Sequence, residues 1–121
     1  MNEHQNARIL IIGAGAVGGY VGAHFARAGH DVIMADPWPA HVEHMQAHGL
    51  RLEGMTEPEC FSTPIRAMHF TDLQSLSKEK LADIAFICVK SYDTPWAAAL
   101  AQNYLAPDGF MVSLQNGINE D

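Results

Sequence analysis

The sequence predicts a doubly wound α/β sheet, mainly parallel, with helices on both faces, and three observations carry that prediction. The runs from Ile9 to Ile12 and from Ile84 to Val89 (IAFICV) are solidly apolar without polar alternation, as strands buried on both faces require. A glycine-rich turn, Gly13 to Gly18, separates the first run from a stretch with helical periodicity. A third apolar run, Val32 to Ala35, follows that stretch and completes the strand, helix, strand order of a βαβ unit.

After a short polar tail, Ile9 to Ile12 is expected as a central strand. Val17, Val21, Phe25 and Ala28 recur at helical spacing, which predicts a helix of about three turns with Gly29 just beyond it. Val32 to Ala35 is the second strand. Asp36-Pro37-Trp38-Pro39 then turns the chain into a short helix, with Pro39 near its first position and Gly49 past its end. From Leu50 to about Arg66, Gly54, Pro58 and Pro64 interrupt two runs of β character, Leu50-Arg51-Leu52 and Cys60-Phe61-Ser62. These predict short antiparallel strands or a hairpin decorating the sheet edge.

Ile84 to Val89 is the next buried parallel strand. Thr94-Pro95 supplies an N-cap and a first-turn proline for a helix that carries Trp96, Leu100 and Tyr104 on one stripe. Pro107-Asp108-Gly109 is expected to close that helix, and Phe110 to Leu114 to form the last strand. The terminal Asn116-Gly117-Ile118-Asn119-Glu120-Asp121 has the polar character of a strand-to-helix loop, with no helix after it. Residues 1–121 are therefore expected to form one nucleotide-binding domain, truncated before its next helix.

Fourteen acidic residues against seven basic ones give a net charge of −7, and no Lys/Arg run occurs. That balance removes the electrostatic footprint of a nucleic-acid or acidic-membrane binder. No apolar stretch approaches the roughly 18 residues of a bilayer span, and the amino-terminal segment MNEHQNAR lacks a basic segment followed by an apolar one. A cytoplasmic location is expected. Cys60 and Cys88 are too few for a disulfide framework and lack metal-ligand spacing, so both are expected as reduced thiols.

Gly13-Ala14-Gly15-Ala16-Val17-Gly18 spells G-x-G-x-x-G at the junction of a predicted strand and a predicted helix, the Rossmann-type arrangement for a dinucleotide. The first glycine allows the tight turn, the second lets backbone approach a pyrophosphate, and the third lets helix and strand pack closely, while N–H groups at the helix start face the anion. A glycine turn without a ligand is the competing reading. Asp36 ends the second strand at about the 20-residue spacing at which an acid meets the adenine ribose. Its carboxylate accepts from ribose hydroxyls and repels a 2′-phosphate, and no Arg or Lys follows between residues 37 and 50. NAD(H) is therefore the expected cofactor and NADP(H) the alternative. A turn cap before Pro37 is the other role open to Asp36.

Lys90 directly follows the IAFICV strand, and Gln115-Asn116-Gly117 follows the last one, both at the carboxyl edge where open α/β sheets place ligands. An ammonium and a carboxamide there could orient the cofactor and polarise a carbonyl; an exposed lysine and an Asn-Gly turn are the plain alternatives. His41, His44 and His48 share one face of the second helix, but a polar helix face accounts for them equally well, and no metal is assigned. Trp38, Tyr92 and Trp96 read as packing or rim residues, with Trp38 and Tyr92 following strand ends where adenine or substrate would lie.

Together the segments ILIIGAGAVGGYVGAHFARAGHDV, VKSYDT (with Lys90) and QNGINE (with Asn116) resemble successive signatures of the ketopantoate reductase (2-dehydropantoate 2-reductase) family. The resemblance covers nearly all of the chain. It implies a Rossmann-type domain followed by a helical carboxyl-terminal domain, and reduction of ketopantoate to pantoate by hydride from a nicotinamide cofactor in pantothenate synthesis. It further implies that Gly13, Gly15 and Gly18 line the pyrophosphate, that Lys90 lies near the ribose and nicotinamide, and that Asn116 contacts cofactor and substrate. The family's general-acid lysine and its carboxylate partner belong to the helical domain, so no catalytic residue is assigned within this chain. Asp36-Pro37 departs from the NADP-preferring members, which place a basic residue hereabouts.

The implied partner is a small-molecule 2-oxo acid, with neither nucleic acid nor membrane, and a homodimer is compatible with the reading. Two alternatives remain: a free-standing NAD-binding sensor or interaction module, and a two-domain dehydrogenase of the glycerol-3-phosphate or 6-phosphogluconate type. Lys90 with Gln115-Asn116-Gly117 argues against the second.

Overall fold

In chain order the elements are β1 (Arg8–Ile12), α1 (Ala16–Arg27), β2 (Asp31–Asp36), α2 (Pro39–His48), β3 (Leu50–Leu52), β4 (Phe61–Thr63), β5 (Arg66–His69), a 3-10 helix (Phe70–Lys78), β6 (Ala82–Ile87), α3 (Thr94–Gln102) and β7 (Leu105–Ser113). The computed structural model describes residues 6–13, 15–53, 60–89 and 94–114. Five strands form one parallel sheet in the order β5-β2-β1-β6-β7, with β1 at its centre.

The uninterrupted apolar character of β1 follows from burial on both faces. Leu10 and Ile12 join Ile33, Leu73, Ile87 and Ala97 in the core under α3 and the 3-10 helix. Ile9 and Ile11 join Val32, Met34, Val42 and Met45 in the core under α1 and α2. Helices thus cover both faces, as the sequence predicts. Both α1 and α2 end within a residue or so of their expected positions, ahead of Gly29 and Gly49.

Three expectations need correction. The two short β runs do pair antiparallel, Leu50 with Thr63 and Leu52 with Phe61, but as a separate ribbon rather than as a decoration of the sheet edge. The ribbon lies on α1, where the Phe61 ring takes the edge of His24 at 5.4 Å and the Arg27 guanidinium at 4.2 Å. The sheet edge is instead β5, paired with β2 from Ile33–Arg66 to Asp36–His69.

Secondly, Pro107-Asp108-Gly109 does not close α3. The helix ends at Gln102, and the Asn103 amide donates back to the carbonyls of Ala99 and Leu100 at 3.4 and 3.3 Å. Leu105 already pairs with Ala82, and the register resumes at Phe110 opposite Ile84, so residues 106–109 form an irregularity inside β7. Gly109 backs onto the Asp83 carbonyl oxygen, where a Cβ would come within 2.8 Å. Thirdly, the buried stripe of α3 runs through Ala97 and Ala101, flanked by Leu100 and Tyr104. Trp96 is 44% exposed and meets the edge of Phe70.

At the amino edge of the sheet Arg8 bridges Asp31 at 2.7 Å and Glu79 at 3.0 Å, and Arg66 holds Glu79 at 2.8 Å. The Arg8 backbone N–H donates to Asp83 Oδ2 at 2.8 Å. This network links β1, β2, β5 and the approach to β6. Hydrogen bonds from Arg66 and Arg8 hold the Glu79 carboxyl down to about 2. Among the described residues no helix is long and apolar enough to cross a membrane.

Candidate functional site

The strand order reverses at β1, since the chain moves from β1 to β2 on one side and enters β6 on the other. The crevice beyond the carboxyl ends of such neighbours is where open α/β sheets receive ligands. Gly13 stands at that point with φ +100°, its N–H donating to the Ala35 carbonyl at 2.8 Å. The neighbouring strand closes in from the other side, with the Cys88 N–H on the Ile12 carbonyl at 2.9 Å. A side chain at position 13 would meet the Cys88 backbone and Val89 at 3.1 Å.

Gly18 has a different reason. It is buried in the first turns of α1, and a Cβ there would collide with the carbonyl oxygen of Gly13. Gly15 precedes α1 as its N-cap, and among the described residues a Cβ there would find nothing within 4 Å. Its carbonyl accepts the Gly19 N–H at 2.7 Å, which starts the helix. Ala16 is exposed and Val17 half-buried at that start. The first N–H groups of a helix precede any intrahelical acceptor and so are available to an anion. The turn therefore has internal packing reasons for two glycines and an open cradle at the third, which fits a dinucleotide pyrophosphate. Ala14 lies outside the described residues.

Asp36 ends β2, one strand over from Gly13, and is only 4% exposed. Its Oδ2 accepts the Trp38 N–H at 3.0 Å and lies 3.7 Å from His41 Nδ1. Asp36 thus caps the turn that follows β2. Trp38 is 70% exposed. The carbonyl of Pro37 is held by His69 Nε2 at 2.8 Å, while His69 Nδ1 meets Thr71 Oγ1 at 2.9 Å. Sequence reasoning missed His69; its signal was a histidine two residues before a threonine at the end of a short β run.

Lys90, Tyr92 and Asn116, with Gln115 and Gly117, lie outside the described residues. The strands that lead to Lys90 and Asn116 end level with β1, through the pairs Ile12–Ile87 and Ile87–Ser113. The three helix histidines do not converge: His41 meets Asp36, while His44 and His48 pack ring to ring at 4.8 Å. Among the described residues no group of three or more His, Cys, Asp or Glu is placed to hold a metal. Cys88 is half-buried behind the glycine turn, and burial pushes its thiol up to about 11. Cys60 is also unbonded to sulfur. Two open concavities of about 300 and 440 Å³ flank Thr63-Pro64 and include none of the glycine-turn residues or Asp36.

The family described as ketopantoate reductase PanE/ApbA matches residues 9–121. The 2-dehydropantoate 2-reductase of Archaeoglobus fulgidus is 34% identical over 116 residues, covering 94% of this chain and 34% of that protein. That of Pyrococcus horikoshii is 32% identical over 114 residues, with the same coverage of 94% and 34%. Among solved structures, a PanE/ApbA family ketopantoate reductase from Ralstonia eutropha superposes with a TM-score of 0.73 at 40% identity, over 92% of this chain and 35% of that one. The chain spans about a third of the length of the relatives it matches.

Proposed function

The chain belongs to the ketopantoate reductase PanE/ApbA family, and from that premise we propose that it is the dinucleotide-binding part of an NAD(P)-dependent 2-oxo acid reductase, with 2-dehydropantoate as substrate and pantoate as product. The observation that carries the reading is the open backbone at Gly15 between two glycines fixed by packing, at the point where the strand order reverses.

A bound nicotinamide cofactor supplies the hydride for the ketone carbon. The chain's own contribution is to bind and orient. Gly13, Gly15 and Gly18, with the N–H groups at the start of α1, hold the pyrophosphate. Asp36 accepts from the adenine ribose hydroxyls and disfavours a 2′-phosphate, so NAD(H) is preferred over NADP(H). Lys90 and Asn116 serve the ribose, the nicotinamide and the substrate, an assignment that rests on their family signatures and on the shared edge of β6 and β7. The proton for the developing alkoxide comes from a lysine of the helical domain found in the family. This chain alone is therefore expected to bind cofactor and to turn over poorly.

Calorimetric titration of the chain with NADH and with NADPH, under identical conditions, tests the reading. Tighter binding of NADH is expected. Tighter NADPH binding would overturn the role given to Asp36, and no binding of either to a folded chain would remove the nucleotide role from this part of the protein.

A further inference from the structure

Trp38 is the most exposed large apolar residue among those described, at 70%, and it belongs to neither core cluster. Tyr20 packs on His24 and Trp96 on Phe70, whereas Trp38 has no ring or cation against it among the described residues. An indole left in water forgoes the burial that makes tryptophan valuable to a fold.

Its backbone is nevertheless held on both sides. Trp38 is the N-cap of α2, with φ −94° and ψ 110°, and stands between Pro37 and Pro39. Pro37 has its own φ fixed by its ring, and Pro39 confines Trp38 to the extended region. The Trp38 N–H donates to Asp36 Oδ2 at 3.0 Å, and its carbonyl accepts the Val42 N–H at 3.0 Å. The preceding carbonyl, of Pro37, accepts from His69 Nε2 at 2.8 Å. Little beyond the two side-chain torsions of Trp38 is left for a ligand to order, and a flat partner would meet a largely preorganised surface.

The position suits one half of a dinucleotide. Gly13 donates its N–H to the Ala35 carbonyl at 2.8 Å, so the turn assigned to the pyrophosphate lies against the end of β2. Trp38 follows Ala35 by three residues, a reach of at most about 11 Å. The segments assigned to the nicotinamide half follow β6 and β7, on the other side of β1. The adenosine half then runs toward the end of β2 and the start of α2.

We infer that Trp38 is the surface on which the adenine ring stacks. The inference rests on the dinucleotide reading and deepens it, and it requires neither a titrating group nor access to a buried carboxylate. Stacking of a base on an aromatic ring needs only the two flat faces. The site should therefore take an adenine nucleotide that lacks nicotinamide, such as ADP-ribose.

The test combines calorimetry with tryptophan fluorescence. Trp96→Phe leaves Trp38 as the one tryptophan of the chain, and its emission should be quenched as ADP-ribose saturates the protein. Trp38→Ala should weaken both NADH and ADP-ribose by roughly tenfold, the size of one base–aromatic stack, and Trp38→Phe should recover most of that loss. Each variant is checked for folding by circular dichroism. Unquenched emission at calorimetric saturation, or parent-like affinities in Trp38→Ala, overturns the role of Trp38 and leaves the dinucleotide reading standing. Failure of a folded parent chain to bind either NADH or ADP-ribose overturns both. Should Trp38→Ala not fold, the quenching in Trp96→Phe decides; should Trp96→Phe not fold, equal quenching in the parent chain and Trp38→Phe is the overturning result.

Discussion

Gly18 lies with its Cα so close to the carbonyl oxygen of Gly13 that no side-chain carbon fits between them. The contact sets how far the start of α1 drops onto the end of β1, and hence where the exposed backbone at Gly15 is presented.

Replacing Gly18 by alanine should therefore move the helix start away from the turn. Overpacking of this kind costs about 1–3 kcal/mol. Thermal unfolding should show the loss of stability, and NADH titration should show a weaker complex than that loss alone explains. Gly15→Ala, where a Cβ has open space, should leave the unfolding temperature nearly unchanged while weakening NADH.

Asp36→Ala removes both the turn cap and the charge. Loss of the acceptor for the Trp38 N–H should cost about 1 kcal/mol of stability. The preference for NADH over NADPH should narrow by roughly tenfold, the size of one charge-assisted hydrogen bond. Asp36→Asn keeps an acceptor for the Trp38 N–H and drops the charge, so it should narrow the preference with less effect on melting. Unchanged relative affinities in both variants would count against the ribose assignment.

The amino-edge network makes stability depend on acid. Glu79 has its folded-state value lowered from 4.5 to about 2 by hydrogen bonds from Arg66 and Arg8. Because the folded state holds the carboxylate more firmly, the contribution is complete above the unfolded value and is lost as pH falls from about 4.5 toward 2. Melting temperatures measured across that window should fall more steeply for the parent chain than for Glu79→Gln. At neutral pH the variant should be the less stable of the two.

Cys88 should be slow toward thiol reagents. Burial raises its thiol from 9.0 to about 11, which lowers the thiolate fraction at pH 8 by about a hundredfold. Labelling a Cys60→Ser variant should give one slow thiol in the native chain and one fast thiol in denaturant. Rapid native labelling would show that the strand end behind Gly13 opens readily.

The glycine turn was legible because each of its constraints is local: a turn, an open helix start and a helix-strand contact all fall within residues 13–18. The central strands were legible because two-sided burial leaves a continuous apolar run in β1 and most of β6. The edge was not. In β5 only Ala67 and Met68 are buried, and the following 3-10 helix hides Leu73 and Leu76 at a spacing of three, so neither segment carries a conventional period. The end of α3 was misread because Pro107-Asp108-Gly109 is strong turn chemistry, whereas the stop comes from Asn103 folding back on the last carbonyls. The meeting of His41 with Asp36 was hidden for another reason. Helical spacing groups His41 with His44 and His48, but the turn at residues 36–39 brings it to the end of a strand.

Strand order also governs how the molecule is made. One side of β1 is covered by β2, whose Asp31 partners Arg8, whereas the other waits for β6, with Ile84 opposite Ile9. During synthesis the most apolar strand of the chain must keep an unpaired edge until residues beyond 82 have emerged. Late closure of that kind slows folding and exposes a template for wrong pairing. The hazard of aggregation in this protein therefore belongs to the interval before β6 arrives, and variants that weaken β6 should reduce soluble yield more than their effect on the finished fold implies.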